Sequence, residues 1–422
     1  MRVLFYSVSS FSSELSQKDG GAAMKKNEAI LKRQEHRIKF KNKDMDFCFN
    51  WLLGISQVVG MSSGELFYIA SGIRDGNPAD WRNRFNEHVL YLEKEALEAE
   101  KASYSDLASH LYFSACYAQR AALQFTDHSQ TRFMEDFHRM EGLFLSAIDH
   151  SPIPLKQIEI PFEGKYLPGY AILFDDRPRD SLIVIGGGDT SREDLFYFLG
   201  YPGWQHGYNV LMVDLPGQGK NPAQGLCFTV DAGQAISAIL DWYQAPTNQI
   251  AIAGFSGGGY FTAQGVERDK RIKAWIASTA IYDVAEVFRV SFSSALKIPN
   301  KLLNWGSKWM MGINKIAEVN LKKYAWQFGQ KDFLTSVNKV FEQAQPVDYH
   351  QIAIPSLFLV GAGESPELKR QTRIIYEDLR KRGIEASLRE FSSASGADAH
   401  CQVNHFRLMH HVVFEWLDQV FR

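Results

Sequence analysis

The spacing of apolar residues along the chain changes its period near residue 155. Before that point, apolar positions recur every three or four residues among strong helix formers, as in residues 86–100 and 105–124. This period is typical of amphipathic helices. The pattern therefore predicts a helical accessory or cap domain over residues 44–150.

Beyond residue 155 the apolar residues form short continuous runs that alternate with helical patterns. Such runs indicate strands buried on both faces of a mainly parallel sheet. We expect strands at residues 157–161, 169–174, 181–185, 209–213, 249–253, 272–277, 356–360 and 387–391, the first two as a hairpin, and a closing helix at about 404–421. Residues 151–422 are thus predicted to form an α/β domain.

Two segments fall outside these patterns. The gap between the runs ending at 277 and starting at 356 is too long for a plain loop, and it predicts a helical lid insertion at about 282–350. Ordinary surface packing is the alternative for this insertion. Residues 1–43 are polar and end in a basic stretch, which is typical of a solvated, partly ordered segment.

Composition narrows the class of protein. The chain has 422 residues, of which 45% are hydrophobic and 22% charged, with a net charge of −2. That balance gives no field suited to nucleic acid or an anionic membrane, and no apolar run reaches the roughly 18 residues of a membrane span. The four cysteines are scattered, as is usual in a reduced compartment. We therefore expect a cytoplasmic protein without metal or cofactor.

The most specific motif is Gly254-Phe-Ser256-Gly-Gly258, which directly follows an apolar run and precedes a helical stretch. This strand–turn–helix context is that of a nucleophile elbow, in which a strained turn exposes the serine hydroxyl at the carboxyl edge of the sheet. The following helix directs its N-terminus at the developing anion. The alternative is a glycine-rich tight turn without catalytic function.

A second glycine motif, Gly186-Gly-Gly-Asp189, follows the run 181–185. In this position a loop supplies half of an oxyanion hole, and we expect the backbone N–H groups of Gly188 and Gly257 to be its two donors. A phosphate-binding loop is the alternative, but no P-loop spacing follows. The segment Asp214 to Gly219 is interpreted as a structural turn.

A serine nucleophile needs a base and an orienting carboxylate, in the chain order serine, acid, histidine. His400 lies between the last run and the last helix, where the base belongs, whereas His405, His410 and His411 fall on that helix. Glu364 follows the run 356–360 and is the predicted acid. The carboxylates that remain as alternatives are Glu367, Asp348 and Asp398.

Several of these segments together resemble one group of α/β-hydrolases. They are the helical N-terminal region, Ile160 to Gly164, Leu167-Pro-Gly-Tyr170, the two glycine motifs and His400-Cys-Gln402. The group includes 2,6-dihydroxypseudooxynicotine hydrolase, proteins of the fermentation-respiration switch type and hydrolases that shorten polyketides. The resemblance implies a Ser-acid-His triad, a cleft between helical and catalytic domains, and often a homodimer. The chain departs from the group in one respect, since Glu364 stands where an aspartate is usual.

Motifs and resemblance together predict an α/β-hydrolase that acts on a small hydrophobic carbonyl compound. The resemblance adds carbon–carbon bond cleavage beside a ketone to ester or thioester hydrolysis as expected reactions. An acyltransferase or cyclase with the same triad, and a binding protein without activity, are the alternatives. The residues that bind the substrate are not identified by the sequence.

Overall fold

A computed structural model describes residues 32–175, 177–244, 249–291 and 314–421. Most of the polar segment predicted over residues 1–43 lies outside the described residues. So does the middle of the predicted insertion, between residues 291 and 314. None of the helices in the described ranges has the length and apolarity needed to cross a bilayer.

The N-terminal part is helical, because its apolar positions repeat at helical spacing. From residue 32 onward its helices are α1 (Lys43–Ile55), α2 (Ser63–Ser71), α3 (Pro78–Lys101), α4 (Ser105–Gln124) and α5 (Thr131–Asp149). Side-chain caps start several of them, as in α1, where Asn42 accepts from the N–H groups of Asp44 and Met45. Such caps satisfy backbone donors that have no partner within the helix.

The central sheet has eight strands in the order β1-β2-β4-β3-β5-β6-β7-β8. The strands are β1 (Leu155–Phe162), β2 (Lys165–Ile172), β3 (Ser181–Ile185), β4 (Asn209–Val213), β5 (Ile250–Phe255), β6 (Ala274–Ser278), β7 (Ser356–Gly361) and β8 (Ala386–Phe391). β2 pairs antiparallel with both β1 and β4, and all other neighbouring strands pair in parallel. The sequence pattern placed each of these strands to within a few residues.

Helices cover both faces of the sheet. They are α6 (Arg192–Leu195, continued by a π-turn Phe196–Gly200 and by Tyr201–Gln205), α7 (Gly233–Tyr243), α8 (Gly258–Arg268), α9 (Val284–Ser291), α10 (Lys315–Gln327), α11 (Phe333–Gln343), α12 (Pro366–Lys381) and α13 (Phe406–Val420). Short 3₁₀ turns occur at Asn221–Gln224, Tyr349–Gln351, Ser393–Ser395 and His400–Gln402. Helices α9 to α11 come from the region of the predicted insertion.

One hydrophobic core joins the N-terminal helices to the sheet. Leu182 and Val184 of β3 belong to the same buried cluster as residues of α1 to α5. Ile183 and Ile185, which point to the other face of the strand, pack with α7, α8 and α12. The N-terminal helices thus cover one face of the sheet directly.

Buried ion pairs reinforce this junction. Glu141 of α5 pairs with Arg192 at the start of α6 and with Lys220, whose Nζ lies 2.7 Å from the carboxylate. Arg120 of α4 pairs with Asp194 at 2.9 Å. The pairs of Arg192 and Asp194 fix the start of α6 against the N-terminal helices.

We predict that Glu141→Ala lowers the free energy of unfolding by about 1–3 kcal/mol, because it removes the shortest carboxylate contact of the buried Arg192, which keeps longer contacts with Glu193 and Asp214. The matched change Glu93→Ala removes a half-exposed pair with Arg139 and should cost about 1 kcal/mol or less. Urea-induced unfolding of both variants measures the difference. Equal losses would contradict a structural role for the buried junction.

Candidate active site

Ser256 lies in the turn between β5 and α8, at the carboxyl edge of the parallel strands. Its φ is +56°, a left-handed conformation that side-chain-bearing residues rarely adopt and that marks a strained turn. Glycine is required beside it, since a β-carbon on Gly254 would lie 2.3 Å from the carbonyl oxygen of Gly258. The N–H of Ser256 donates to Ser278 O at 2.6 Å, which ties the turn to β6.

His400 and Glu364 reach this turn from two other strand ends. The Ser256 hydroxyl lies 2.9 Å from Nε2 of His400. On the other side of the ring, Nδ1 lies 2.6 Å from the Glu364 carboxylate. Since a carboxylate only accepts, it fixes the tautomer with the proton on Nδ1 and leaves Nε2 to accept from the serine. The structure therefore brings the three predicted residues into one hydrogen-bonded series.

The other carboxylates and histidines considered from the sequence have partners elsewhere. Asp398 accepts from Asn404, and Glu367 pairs with Arg370. Asp348 caps a 3₁₀ turn, His405 and His410 bond backbone carbonyls of Ser395 and Tyr197, and His411 pairs with Glu415 on the surface. None of these contacts involves Ser256.

The environment of His400 changes its pKa. Burial of the ring lowers the pKa, but the neighbouring Cys401 sulfur and the Glu364 carboxylate raise it by more, so that the pKa of His400 lies above its ordinary value. The side chain of Glu364 is only 1% exposed. A buried carboxylate of this kind stabilises a charged imidazolium strongly, because little water screens the pair.

Two backbone N–H groups lie beside the serine. The glycine loop packs closely against the elbow turn. A β-carbon added to Gly257 would lie 3.8 Å from the amide nitrogen of Gly188, and a β-carbon added to Gly187 would lie 2.7 Å from Cβ of Ser256. Within the described residues, the N–H groups of Gly188 and Gly257 donate to no protein acceptor. They are available to a ligand oxygen.

A cavity of about 320 Å³ opens over these groups. Its larger part is apolar and includes Phe228, Phe261, Phe288, Phe328, Phe333, Val284, Val287 and Leu368, together with Cys48 and Phe125 from the N-terminal helices. The sequence did not identify these positions as substrate-binding residues. Apolar walls with a few convergent polar groups are typical of small-molecule sites.

Residues 32–40, which we call the strap, begin beside the catalytic residues, where Lys32 and Arg33 line the cavity. The carbonyl of Arg33 accepts from the N–H of His400 at 2.7 Å. The carboxylate of Asp46 in α1 holds the strap by accepting from the N–H groups of Ile38, Lys39 and Phe40. The polar composition of this stretch did not indicate a contact with His400.

Charged side chains line the cavity next to Gly188. Asp189 pairs with Lys323 of α10 and, at 3.8 Å, with Arg33. Burial raises the pKa of Asp189, but these two cations outweigh it and hold the pKa well below the usual value. Asp44 also pairs with Arg33 at 2.5 Å, so the opposite charges are matched.

Neither the cysteines nor the acidic groups suggest other chemistry here. Burial raises the pKa of the Cys48 thiol to about 12, which keeps it protonated and weakly nucleophilic at neutral pH. Among the residues that the structure describes, no group of three or more His, Cys, Asp or Glu side chains could hold a metal ion.

Comparisons with known proteins agree with the sequence-based resemblance. No family model matches the chain. The chain is 26% identical over 425 residues to the hydrolase LUC6 of a Fusarium species, covering 92% of this chain and 98% of that protein. It is also 26% identical over 424 residues to the 20-hydroxy-prefusarin hydrolase FUS2 of Gibberella moniliformis, with the same coverage of 92% and 98%.

The solved structure of 2,6-dihydroxy-pseudo-oxynicotine hydrolase matches with a TM-score of 0.60 and 16% identity, over 86% of this chain and 95% of that one. The chain thus has the α/β-hydrolase fold, and the fold prediction is confirmed. The expected resemblance to the group of α/β-hydrolases that includes this enzyme is confirmed as well. The names of the relatives support a hydrolase.

We predict that the imidazole of His400 titrates above pH 6.5 or so, the ordinary histidine value. Glu364→Gln should move the titration to lower pH, because removal of the negative charge leaves burial to oppose protonation. Histidine-selective NMR titration measures both midpoints. Glu367→Gln is the matched control and should leave the midpoint in place; a midpoint that responds to residue 367 and not to 364 would contradict the assigned pair.

Proposed function

We propose that the protein is a serine hydrolase in which Ser256 attacks the carbonyl carbon of a small hydrophobic substrate. The observation that carries this proposal is the hydrogen-bonded series Ser256–His400–Glu364 beside two unpartnered N–H groups. A nucleophile, a base, an orienting carboxylate and oxyanion donors are the parts that acyl transfer requires. They meet at the mouth of an apolar cavity.

The reaction follows from these positions. Oγ of Ser256 bonds to the carbonyl carbon while its proton passes to Nε2 of His400, and Glu364 stabilises the imidazolium. The N–H groups of Gly188 and Gly257 hold the oxyanion. The bond to the leaving group then breaks, and His400 returns its proton to that group. Water, deprotonated by His400, next attacks the acyl-enzyme and releases a carboxylic acid.

The same steps extend to carbon–carbon bonds when the leaving group is a stabilised carbanion. In a 1,3-dicarbonyl compound, collapse of the tetrahedral intermediate expels an enolate, which His400 protonates on carbon. The reaction is a retro-Claisen cleavage and needs no further group. The relatives are named as hydrolases, and the large apolar wall of the cavity favours a hydrophobic ketone, ester or thioester.

We infer that the N-terminal helices and the insertion helix α10 close this site. Cys48 and Phe125 line the cavity from one side, and Lys323 and Tyr324 of α10 line it from another. The ring of Phe47 lies 6.3 Å from the ring of His400. Covering the serine removes water, and that strengthens each hydrogen bond to the oxyanion.

An alkyl fluorophosphonate tests the nucleophile without knowledge of the natural substrate. Ser256 should displace fluoride and gain the phosphonyl group, as seen by intact mass, while Ser256→Ala should remain unmodified. Ser237→Ala, which changes a serine on α7 bonded to Asp269, is the control and should react as the natural protein does. Rapid modification of Ser256→Ala would mean that another residue is the nucleophile and would contradict the proposal. No modification of the natural protein would contradict it as well and would favour a binding protein.

A further inference from the structure

The loop Gly186–Asp189 is held by its carbonyl groups. Gln218 donates from Nε2 to the carbonyls of Gly186 and Gly187, the latter at 3.1 Å. Gln327 of α10 donates to Gly188 O at 2.7 Å, and Arg120 of α4 donates to Asp189 O at 2.6 Å. Side chains from three separate parts of the fold therefore set the orientation of four successive peptide groups.

The orientation of the Gly187–Gly188 peptide matters most for the proposed reaction. In a trans peptide the C=O and the N–H point in opposite directions. Gln218 holds the carbonyl of Gly187 on one side, so the N–H of Gly188 must face the other. The carbonyl of Gly187 accepts two hydrogen bonds. The one from Gln218, at 3.1 Å, is shorter than the one from the Thr190 hydroxyl, at 3.4 Å.

Without such a restraint this peptide could turn over. Glycines on both sides carry no β-carbon, so rotation of the peptide meets little steric resistance. A reversed peptide would present the carbonyl oxygen of Gly187 to the developing oxyanion, where it would repel rather than donate. The loop thus needs a hydrogen bond to the carbonyl of Gly187 that keeps the N–H of Gly188 directed at the oxyanion.

Gln218 is itself fixed for this role. The side chain is 1% exposed, and its Oε1 accepts from Leu215 N at 2.8 Å. Asn221 in turn donates to the carbonyls of Asp214 and Leu215 at 2.8 and 2.9 Å. The amide therefore cannot exchange its nitrogen and oxygen without losing the bond from Leu215.

We propose that Gln218 is a positioning residue of the oxyanion hole, which keeps the N–H of Gly188 directed at the oxyanion by holding the carbonyl of Gly187. This inference rests on the proposed serine hydrolase function and deepens it. It also gives a functional role to the Asp214–Gly219 segment, which sequence analysis interpreted as a structural turn.

The rate of fluorophosphonate labelling tests the role, because the phosphonyl oxygen occupies the oxyanion position as Ser256 bonds to phosphorus and fluoride leaves. Gln218→Met removes the donors and the acceptor. Gln218→Leu also removes both groups with a branched apolar side chain, so it serves if the first variant does not fold. Gln351→Met is the control, since Gln351 is an exposed glutamine that donates to the Asp348 side chain, away from the loop.

Loss of one oxyanion donor typically costs about 10²–10³ in rate, and we expect a fall of that order for both Gln218 variants and none for Gln351→Met. The pH midpoint of labelling should stay where His400 sets it, since the His400–Glu364 pair is untouched. Labelling at the natural rate, or a fall with a displaced midpoint, would overturn the role of Gln218. A natural protein that fails to label would instead overturn the hydrolase proposal.

Discussion

The hydrogen bond between Ser256 and His400 is the interaction on which the site depends. It joins residues 144 positions apart and so requires the ends of β5 and β8 to lie at the same edge of the sheet. The left-handed turn lifts the serine toward the imidazole, and Glu364, at the end of β7, sets the tautomer. The strap holds the backbone of the same histidine through Arg33. Without the Ser256–His400 bond, neither the turn nor Glu364 nor the strap could help to activate the serine.

Charged side chains are arranged differently on the two sides of the Ser256–His400 hydrogen bond. On the catalytic side, one buried carboxylate faces one imidazole, which stabilises the charge that catalysis would create. Beyond the glycine loop, Asp189 meets Lys323 and Arg33, and Asp44 neutralises the extra cation. Buried charges are tolerated when they are paired in this way. The pairs also connect α1, α10 and the loop, so that the elements covering the cavity hold the loop in position.

Sequence alone predicted the strands, the N-terminal helices and the three residues of the series, because each has a local signal. The elbow motif identifies Ser256, and the order of strands restricts His400 and Glu364 to the loops that follow β8 and β7. The contacts of Arg33, Gln218 and Lys323 carry no such signal. They join segments far apart in the chain through single side chains, and only the folded arrangement shows which carbonyl or carboxylate each one meets.

The crystal structure of the protein after reaction with an alkyl fluorophosphonate tests the central claim most directly. The account predicts phosphorus bonded to Oγ of Ser256 and the alkyl chain in the apolar cavity. The phosphonyl oxygen should lie at about 2.7–3.1 Å from the N–H nitrogens of Gly188 and Gly257, as expected for oxyanion donors. Phosphorus on another side chain, or a phosphonyl oxygen turned away from both N–H groups, would contradict the account.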